Sequence, residues 1–369
     1  MADRLKDQFA EDVPPRIAAM IEAVYAGFDS ASFVADALDG YEELELTARA
    51  RKIATALRTH LPDDVEESLE LIVASLGRPI ADPERLEGMA TFIYLPFVFY
   101  VAEHGLDCFE ASMRCQYELT KRFTAEFSIR AFIQRHTADT LSRLEGWSGD
   151  PDPHVRRLVS EGTRPRLPWA PRLPEFIRDP TPVIALLDRL VGDDSLYVRR
   201  SVANNLNDIS KDHPELAVAT ARRWSAEGAD EFVIRHGLRT LVKQGHPGAL
   251  AVLGFDHGSP VAVTVSCAPE VVPIGGKVRV TADVHNTTDG RADVLLDLVV
   301  HFVKANGSTS PKVFKGGEIK LGPGEHAAIR KTVSAAIHTT RRPYAGLHVI
   351  DALVNGQRRQ DLARFEILD

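Results

Sequence analysis

Cysteine is scarce in this 369-residue chain, and the common catalytic signatures are missing. Three cysteines (Cys108, Cys115, Cys267), an odd count without a C-x-x-C spacing, argue against a disulfide framework and against a zinc site. That usage fits a reducing compartment, so a cytoplasmic protein is expected. No GxxxxGK[ST] or GxGxxG occurs, which removes the loops that cradle nucleotide phosphates. The thirteen histidines show no HExxH or comparable spacing, and the serine of GWSGD lacks the nucleophile-elbow pattern. No metal or cofactor is expected. The opening residues MADRLKDQFAEDVPP lack the apolar core of a secretion signal. One long apolar run, MATFIYLPFVFYVA at 89–102, is too short for a bilayer and contains Pro96, so it predicts a buried helix and no membrane span.

What charge there is lies unevenly. The net value of −8 looks hostile to nucleic acid, yet residues 1–120 hold 10 Lys/Arg against 23 Asp/Glu. Residues 121–369 hold 34 against 29, and within 121–178 the balance is 11 against 7. A basic second half can still attract phosphates, with the acidic third turned away from them.

Residues 1–257 read as helices. PPRIAAMIEAVYAGF, LELTARARKIATALRTHL and DDVEESLELIVASLG repeat apolar residues at three- and four-residue spacing. Three later segments resemble one another: DPHVRRLVSEGTR (152–164), DSLYVRRSVANNLNDISKDHP (194–214) and DEFVIRHGLRTLVKQGHP (230–247). Each has an acid near the helix start, a β-branched residue and then Arg156, Arg199 or Arg235. Units of this period cannot bury their faces alone and must stack, which predicts an all-α solenoid of helix-pair repeats. From residue 258 the pattern changes to VAVTVSC, KVRVTADVHN, ADVLLDLVVHFVK, HAAIRKTVSAAI and LHVIDALVN, separated by turn signals. About seven short strands over 258–369 predict an all-β antiparallel sandwich, with a hinge at GFDHGSP (254–260).

Several polar groups stand on the predicted helix faces. Arg157 and Glu161 are one turn apart, and Arg200, Asn204 and Asp208 form a similar ladder in the next repeat. Exposed salt bridges worth under ~1 kcal/mol are the plain alternative. Glu126, in TKRFTAEFSIR, falls between Phe123 and Phe127, at a polar edge of an apolar stripe or placed there for chemistry. Trp169 sits in RPRLPWAPRLP, where four prolines prevent a regular helix and Arg164, Arg166 and Arg172 surround it. It either covers the core or stands in a preorganised loop, since prolines lower loop entropy.

These blocks resemble the AlkC branch of the HEAT-like-repeat DNA glycosylases, the AlkC/AlkD superfamily. LELTARARKIATAL, LTKRFTAEFSIRAF, HVRRLVSEGTRPRLPW and YVRRSVANNLNDISKDHPELA carry the match, over most of residues 4–257. The strands behind them resemble the immunoglobulin-like domain of one subset of that branch. The resemblance implies removal of cationic N3-alkylated bases (3-methyladenine, 3-methylcytosine) from double-stranded DNA, without full base flipping, by a monomer. It assigns Glu126, Glu161 and Asp208 as active-site acids and Trp169 as an aromatic wall. Arg157 falls at a phosphate-binding position, with Arg156, Arg164, Arg166 and Arg200 as further DNA contacts. In the sandwich, Lys312 and Lys315 of PKVFK and Arg341 and Arg342 of HTTRRPY are expected to reach the backbone. Edge-strand lysines also guard against aggregation, which is the alternative for these residues. The rival reading of the whole chain is a non-catalytic HEAT scaffold that binds a protein partner.

Overall fold

The computed structural model describes residues 5–80, 90–255, 258, 260–337 and 342–368. Helices come first in the chain: α1 (Val13–Glu22), α2 (Ser30–Leu38), α3 (Leu46–His60), α4 (Val65–Ser75), α5 (Leu95–His104) and α6 (Phe109–Thr120). Next come α7 (Glu126–Arg135), α8 (Thr137–Trp147), α9 (Pro153–Gly162), α10 (Pro174–Arg178) and α11 (Thr181–Leu190). The last are α12 (Leu196–Ile209), α13 (Pro214–Ala226), α14 (Glu231–Gly237), α15 (Arg239–Lys243) and α16 (Pro247–Val252). The apolar run at 89–102 yields a 3-10 turn (Ala90–Tyr94) and then α5, buried along Leu95–Val101 as its composition predicts. No helix among the described residues is long and apolar enough to cross a membrane.

Helices α3, α5, α7, α9, α12 and α14 form one row, each packed on the next, while α4 packs on α6 and α8 on α11. The later repeats share a hydrogen-bonded head. Asp150, Asp193 and Asp230 each accept the backbone N–H two residues on, at 2.8, 2.8 and 2.9 Å. Arg156 binds the carbonyls of Asp150 and Pro151 (2.7 and 3.0 Å) and, with both forks, the Asp193 carboxylate of the following repeat (2.6 and 2.9 Å). Arg199 repeats the pattern one repeat later, bonding the carbonyls of Asp193 and Asp194 (2.5 and 3.0 Å) and forming an ion pair with the Asp230 carboxylate (3.2 Å). The V-R-R repeat is therefore a staple between turns. Arg156, expected among the DNA contacts, spends four of its five N–H donors on this staple.

Eight strands are described: β1 (Val261–Ala268), β2 (Val271–Pro273), β3 (Lys277–Asn286), β4 (Ala292–Val303), β5 (Thr309–Leu321), β6 (His326–Ser334), β7 (Gly346–Val354) and β8 (Gln357–Leu368). One sheet has the order β1-β3-β6 and the other β2-β8-β7-β4-β5. Inward positions of β3 and β4 (Val278, Val280, Ala282, Val284; Val294, Leu296, Leu298, Val300) alternate into a shared core with Phe365 and Ile367 of β8. The pairing is antiparallel except for β2, which runs parallel to the end of β8. Strands β2, β5 and β8 are not distinguishable by alternation, because β5 and β8 are mostly exposed and rich in Lys, Arg and Gly.

By packing, the chain divides differently from its helix–strand boundary. One compact unit is Met1–His213 with Ala226–Gly237; the other is Pro214–Ser225 with Leu238–Asp369, so α13, α15 and α16 belong with the sandwich. Within that second unit the β7–β8 turn, Asn355-Gly356, has both residues at positive φ (46° and 77°), as a tight hairpin turn demands. Asn355 is fully buried, accepting Leu295 N–H at 2.7 Å and donating to Asp293 O at 3.2 Å. Gly356 lies against Gly245, itself at φ 74°, just before α16. A Cβ on Gly356 would stand 2.6 Å from the Gly245 carbonyl oxygen and 2.8 Å from Leu250.

This contact yields a controlled prediction. Gly324 has φ 66° but nothing within 4 Å of its would-be Cβ. Gly324→Ala should cost only the left-handed penalty, about 1–2 kcal/mol. Gly356→Ala should cost roughly 1–3 kcal/mol more, because the backbone it meets cannot give way cheaply. Urea unfolding of the two variants side by side checks this; equal losses would remove the packing contribution.

Candidate active site

Three successive helices of the row deliver the predicted acids. Glu126 is the first residue of α7, where the helix N-terminus favours a negative charge. Arg157 and Glu161 lie one turn apart on α9, and Tyr197, Ser201 and Asp208 lie on α12. Their charges alternate in an unbroken chain. Arg157 Nη1 donates to Glu126 Oε2 at 2.7 Å, and its Nη2 stands 3.5 Å from Glu161 Oε1. Arg164 then joins Glu161 (2.6 Å) to Asp208 (2.8 Å), and Lys211 closes the series on the other Asp208 oxygen at 2.8 Å. Hydroxyls complete the shell: Ser201 donates to Glu161 Oε2 at 2.6 Å, and Thr124 donates to Glu126 Oε2 at 2.8 Å. The Arg157 guanidinium also lies 5.3 Å from the centre of the Tyr197 ring.

Burial makes this chain far more demanding than exposed pairs would be. Glu161 is 6% exposed and Asp208 1%. Burial pushes the Glu161 carboxyl up, but Arg157 and Arg164, with the Ser201 hydroxyl, more than reverse this and hold it below the usual carboxylate range. Burial likewise pulls Arg157 down, while Glu126 and Glu161 raise it above its ordinary value. All three acids are paired with arginines, but their oxygens are not equally occupied. Both oxygens of Glu161 and of Asp208 accept hydrogen bonds. Glu126 receives its bonds on Oε2, and its Oε1 has no partner among the described residues.

Trp169 follows on a loop that the prolines shape as expected. Leu167 and Leu173 are buried anchors on either side, and Leu173 N–H reaches Pro165 O at 3.1 Å to close the loop. The indole between them is 75% exposed, so it covers no core. Its backbone sits at φ 65°, a left-handed conformation that costs a non-glycine residue about 1–3 kcal/mol and tends to mark functional positions. Arg166 is tied by both forks to Asp212 (2.7 and 2.6 Å), just beyond α12.

Other expected residues are placed less simply. The ladder Arg200–Asn204–Asp208 does not form: Asp208 is held by Arg164 and Lys211, and Asn204 meets His236 at 2.9 Å. Arg200 is exposed and makes no ion pair among the described residues. Lys312 and Lys315 are exposed on the edge strand β5, three residues apart and therefore on opposite faces, so they make no single cluster. Arg342 is exposed beside Tyr344, and Arg341 lies outside the described residues. Thr124, Tyr197, Ser201 and Lys211 are not among the residues the sequence singles out. Ser201 leaves a readable signal, since it occupies the position of Leu158 in the aligned repeat, a hydroxyl where the pattern calls for a core side chain.

The depressed Glu161 carboxyl gives a pH dependence of defined sign. A folded value below the ordinary 4.5 contributes stability that is complete above 4.5 and is lost as pH falls through the folded value. Glu161→Gln should therefore unfold about 3–5 kcal/mol more easily at pH 7, because Arg157 and Arg164 lose a buried partner. Its stability should also fall less steeply than the parent's over the range from pH 4.5 downward, where the parent's depressed carboxylate takes up its proton. Urea titrations from pH 7 down through that range measure both; parallel pH profiles would show that folding does not depress the Glu161 carboxyl.

Comparison with known proteins covers the whole chain. Residues 262–369 match the family described as the C-terminal Ig-like domain of the uncharacterised protein YhaZ. The uncharacterized protein YhaZ of Bacillus subtilis (strain 168) is 33% identical over 365 residues, which are 98% of this chain and 99% of that protein. The alkylpurine DNA glycosylase AlkC of Pseudomonas fluorescens, solved bound to DNA containing an abasic site analog, is 36% identical over all of both chains, with a TM-score of 0.83. Matched end to end through both its helices and its sheets, the chain belongs to the AlkC/YhaZ family, in the form with a C-terminal immunoglobulin-like domain.

Proposed function

We propose that this chain is a DNA glycosylase of alkylated DNA, and that its preferred lesions are the cationic N3-alkylated bases 3-methyladenine and 3-methylcytosine. The observation that carries the reading is the acid trio of a partly buried Glu126 with the buried Glu161 and Asp208, and an exposed tryptophan in a strained turn on the segment between the last two. The full-length likeness to AlkC supports it.

The chemistry asks for little more. When the bond from C1′ to the alkylated base breaks, its electron pair goes to the base, which leaves neutral and needs no acid to protonate it. Positive charge develops on the sugar, and ionised carboxylates in a water-poor site stabilise it. Water then adds to C1′ and gives up a proton. Glu126 is the acid suited to hold that water, because one of its oxygens is unclaimed among the described residues. Glu161 and Asp208, saturated by their basic and hydroxyl partners, supply negative potential and hold the arginines in place. The Trp169 face offers a cationic sugar or base about 0.5–2 kcal/mol. Approach to the lesion without full extrusion suits a ring that stands at the surface rather than lining a deep pocket. On the DNA backbone, Arg200 is an available cation of the helical unit, and Lys312, Lys315, Arg341 and Arg342 are candidates from the sandwich.

Release of methylated base from alkylated duplex DNA tests the reading, and no release at equimolar enzyme would turn it toward the scaffold alternative. Glu126→Gln should slow excision roughly a hundredfold, about 2.7 kcal/mol, with DNA affinity retained. Uncharged hypoxanthine and uracil should remain in place.

The sandwich's part in DNA binding is tested through salt. Alanine at both Arg341 and Arg342 should flatten the log–log salt dependence of binding by ~0.9 for each phosphate that the pair neutralises. An unchanged slope would exclude this pair from the interface.

A further inference from the structure

Arg130, on α7 one turn beyond Glu126, is 2% exposed and makes no salt bridge among the described residues. All its hydrogen bonds go to carbonyl oxygens on the two flanks of the Trp169 turn. Nη1 donates to Gly162 O at 3.1 Å and to Arg164 O at 2.7 Å, before the turn. Nε and Nη2 donate to Pro171 O at 3.0 and 2.5 Å, after it. The loop needs such a donor for a simple reason. Pro165, Pro168 and Pro171 carry no N–H, so beyond the Leu173 N–H bond to Pro165 O the segment has few donors for its own carbonyls, and an unpaired buried carbonyl is costly. The approach is close as well. A Cβ on Gly162 would stand 2.5 Å from Ile129 Cγ2, so only glycine lets the end of α9 come this near to α7.

We propose that Arg130 is a positioning residue that clamps both flanks of the proline loop and thereby holds Trp169 outward in its left-handed turn. A guanidinium is suited to this because its planar fork addresses both flanks at once, which the point charge of a lysine does not. Burial, helped by the nearby Arg164 charge, draws the group down to about 10 against the opposing pull of Glu126, Asp208 and Glu161, so it remains charged at neutral pH. The loop geometry and the acid chain thus meet in one side chain. The kinetic consequence rests on the glycosylase reading; the structural one does not.

The test separates the two. The emission of Trp169 is isolated by subtracting the Trp169→Phe variant, and its time-resolved anisotropy is compared in the parent, Arg130→Met and Arg130→Lys. Both Arg130 variants should keep their far-ultraviolet circular dichroism while Trp169 gains a fast depolarising motion. In single-turnover excision, Arg130→Met should lose about tenfold or more with DNA affinity retained, as misplacement of a positioned group does. Arg130→Met/Trp169→Ala should be no slower than Trp169→Ala alone. If Arg130→Met does not fold, Gly162→Ala, which keeps the charge but forces the helices apart, should produce the same loss of Trp169 order. Unchanged Trp169 anisotropy in a folded variant, or rate losses that multiply in the double variant, would overturn the proposal. Parent protein that excises nothing would defeat the glycosylase reading and leave the anisotropy result to decide on Arg130.

Discussion

A buried charge must be answered by an opposite one, and in this molecule that rule runs from the partly buried Glu126 through Arg157, Glu161, Arg164 and Asp208 to Lys211 at the surface. Solvent-exposed pairs contribute under ~1 kcal/mol, but breaking a buried one costs about 3–5 kcal/mol through the partner left behind. The chain links α7, α9 and α12, so their mutual register is fixed by electrostatics as well as by apolar packing. A slip of one helix would strand at least one ion. The same requirement explains why arginines dominate, since each must serve two acids on different helices with a fixed planar fork.

Around this frame the molecule divides work between saturated and unsaturated groups. Two acids accept hydrogen bonds on both oxygens, which in the proposed reaction would make them fixed sources of potential; one keeps an oxygen unclaimed among the described residues. Preorganised dipoles and charges that need no rearrangement during reaction are the most effective form of electrostatic catalysis. The strained turn at Trp169 belongs to the same logic, because a ring held outward by its backbone loses little entropy when it meets a ligand.

Much of this can be read from the chain, within a definite physical limit. The repeat period and the Arg157–Glu161 pairing are local, and local spacing is what periodicity reports. The V-R-R motif is visible too, but its purpose is not, because Arg156 finds Asp193 across 37 residues. Arg164 and Asp208 meet over 44 residues, a partnership that no helical spacing encodes. The ladder expected on α12 fails for the same reason, its acid being claimed by another segment. In the sandwich, β1, β3, β4, β6 and β7 are legible. The exposed lengths of β5 and β8 are not, since a strand at or near a sheet edge has little apolar alternation to show.

The meeting of Gly245 with Gly356 carries a consequence for how the chain is made. Helices α13, α15 and α16 are synthesised among the repeats, yet their compact unit is completed by the β7–β8 turn, roughly a hundred residues or more later. On a ribosome, where domains form as units from the N-terminus, the earlier repeats can settle while these three helices wait. Leu250 of α16 meets that turn, so this part of its apolar face stays uncovered until the turn has emerged. Synthesis stopped short of the β7–β8 turn would leave Leu250 without this cover and the second unit without its Gly245–Gly356 contact.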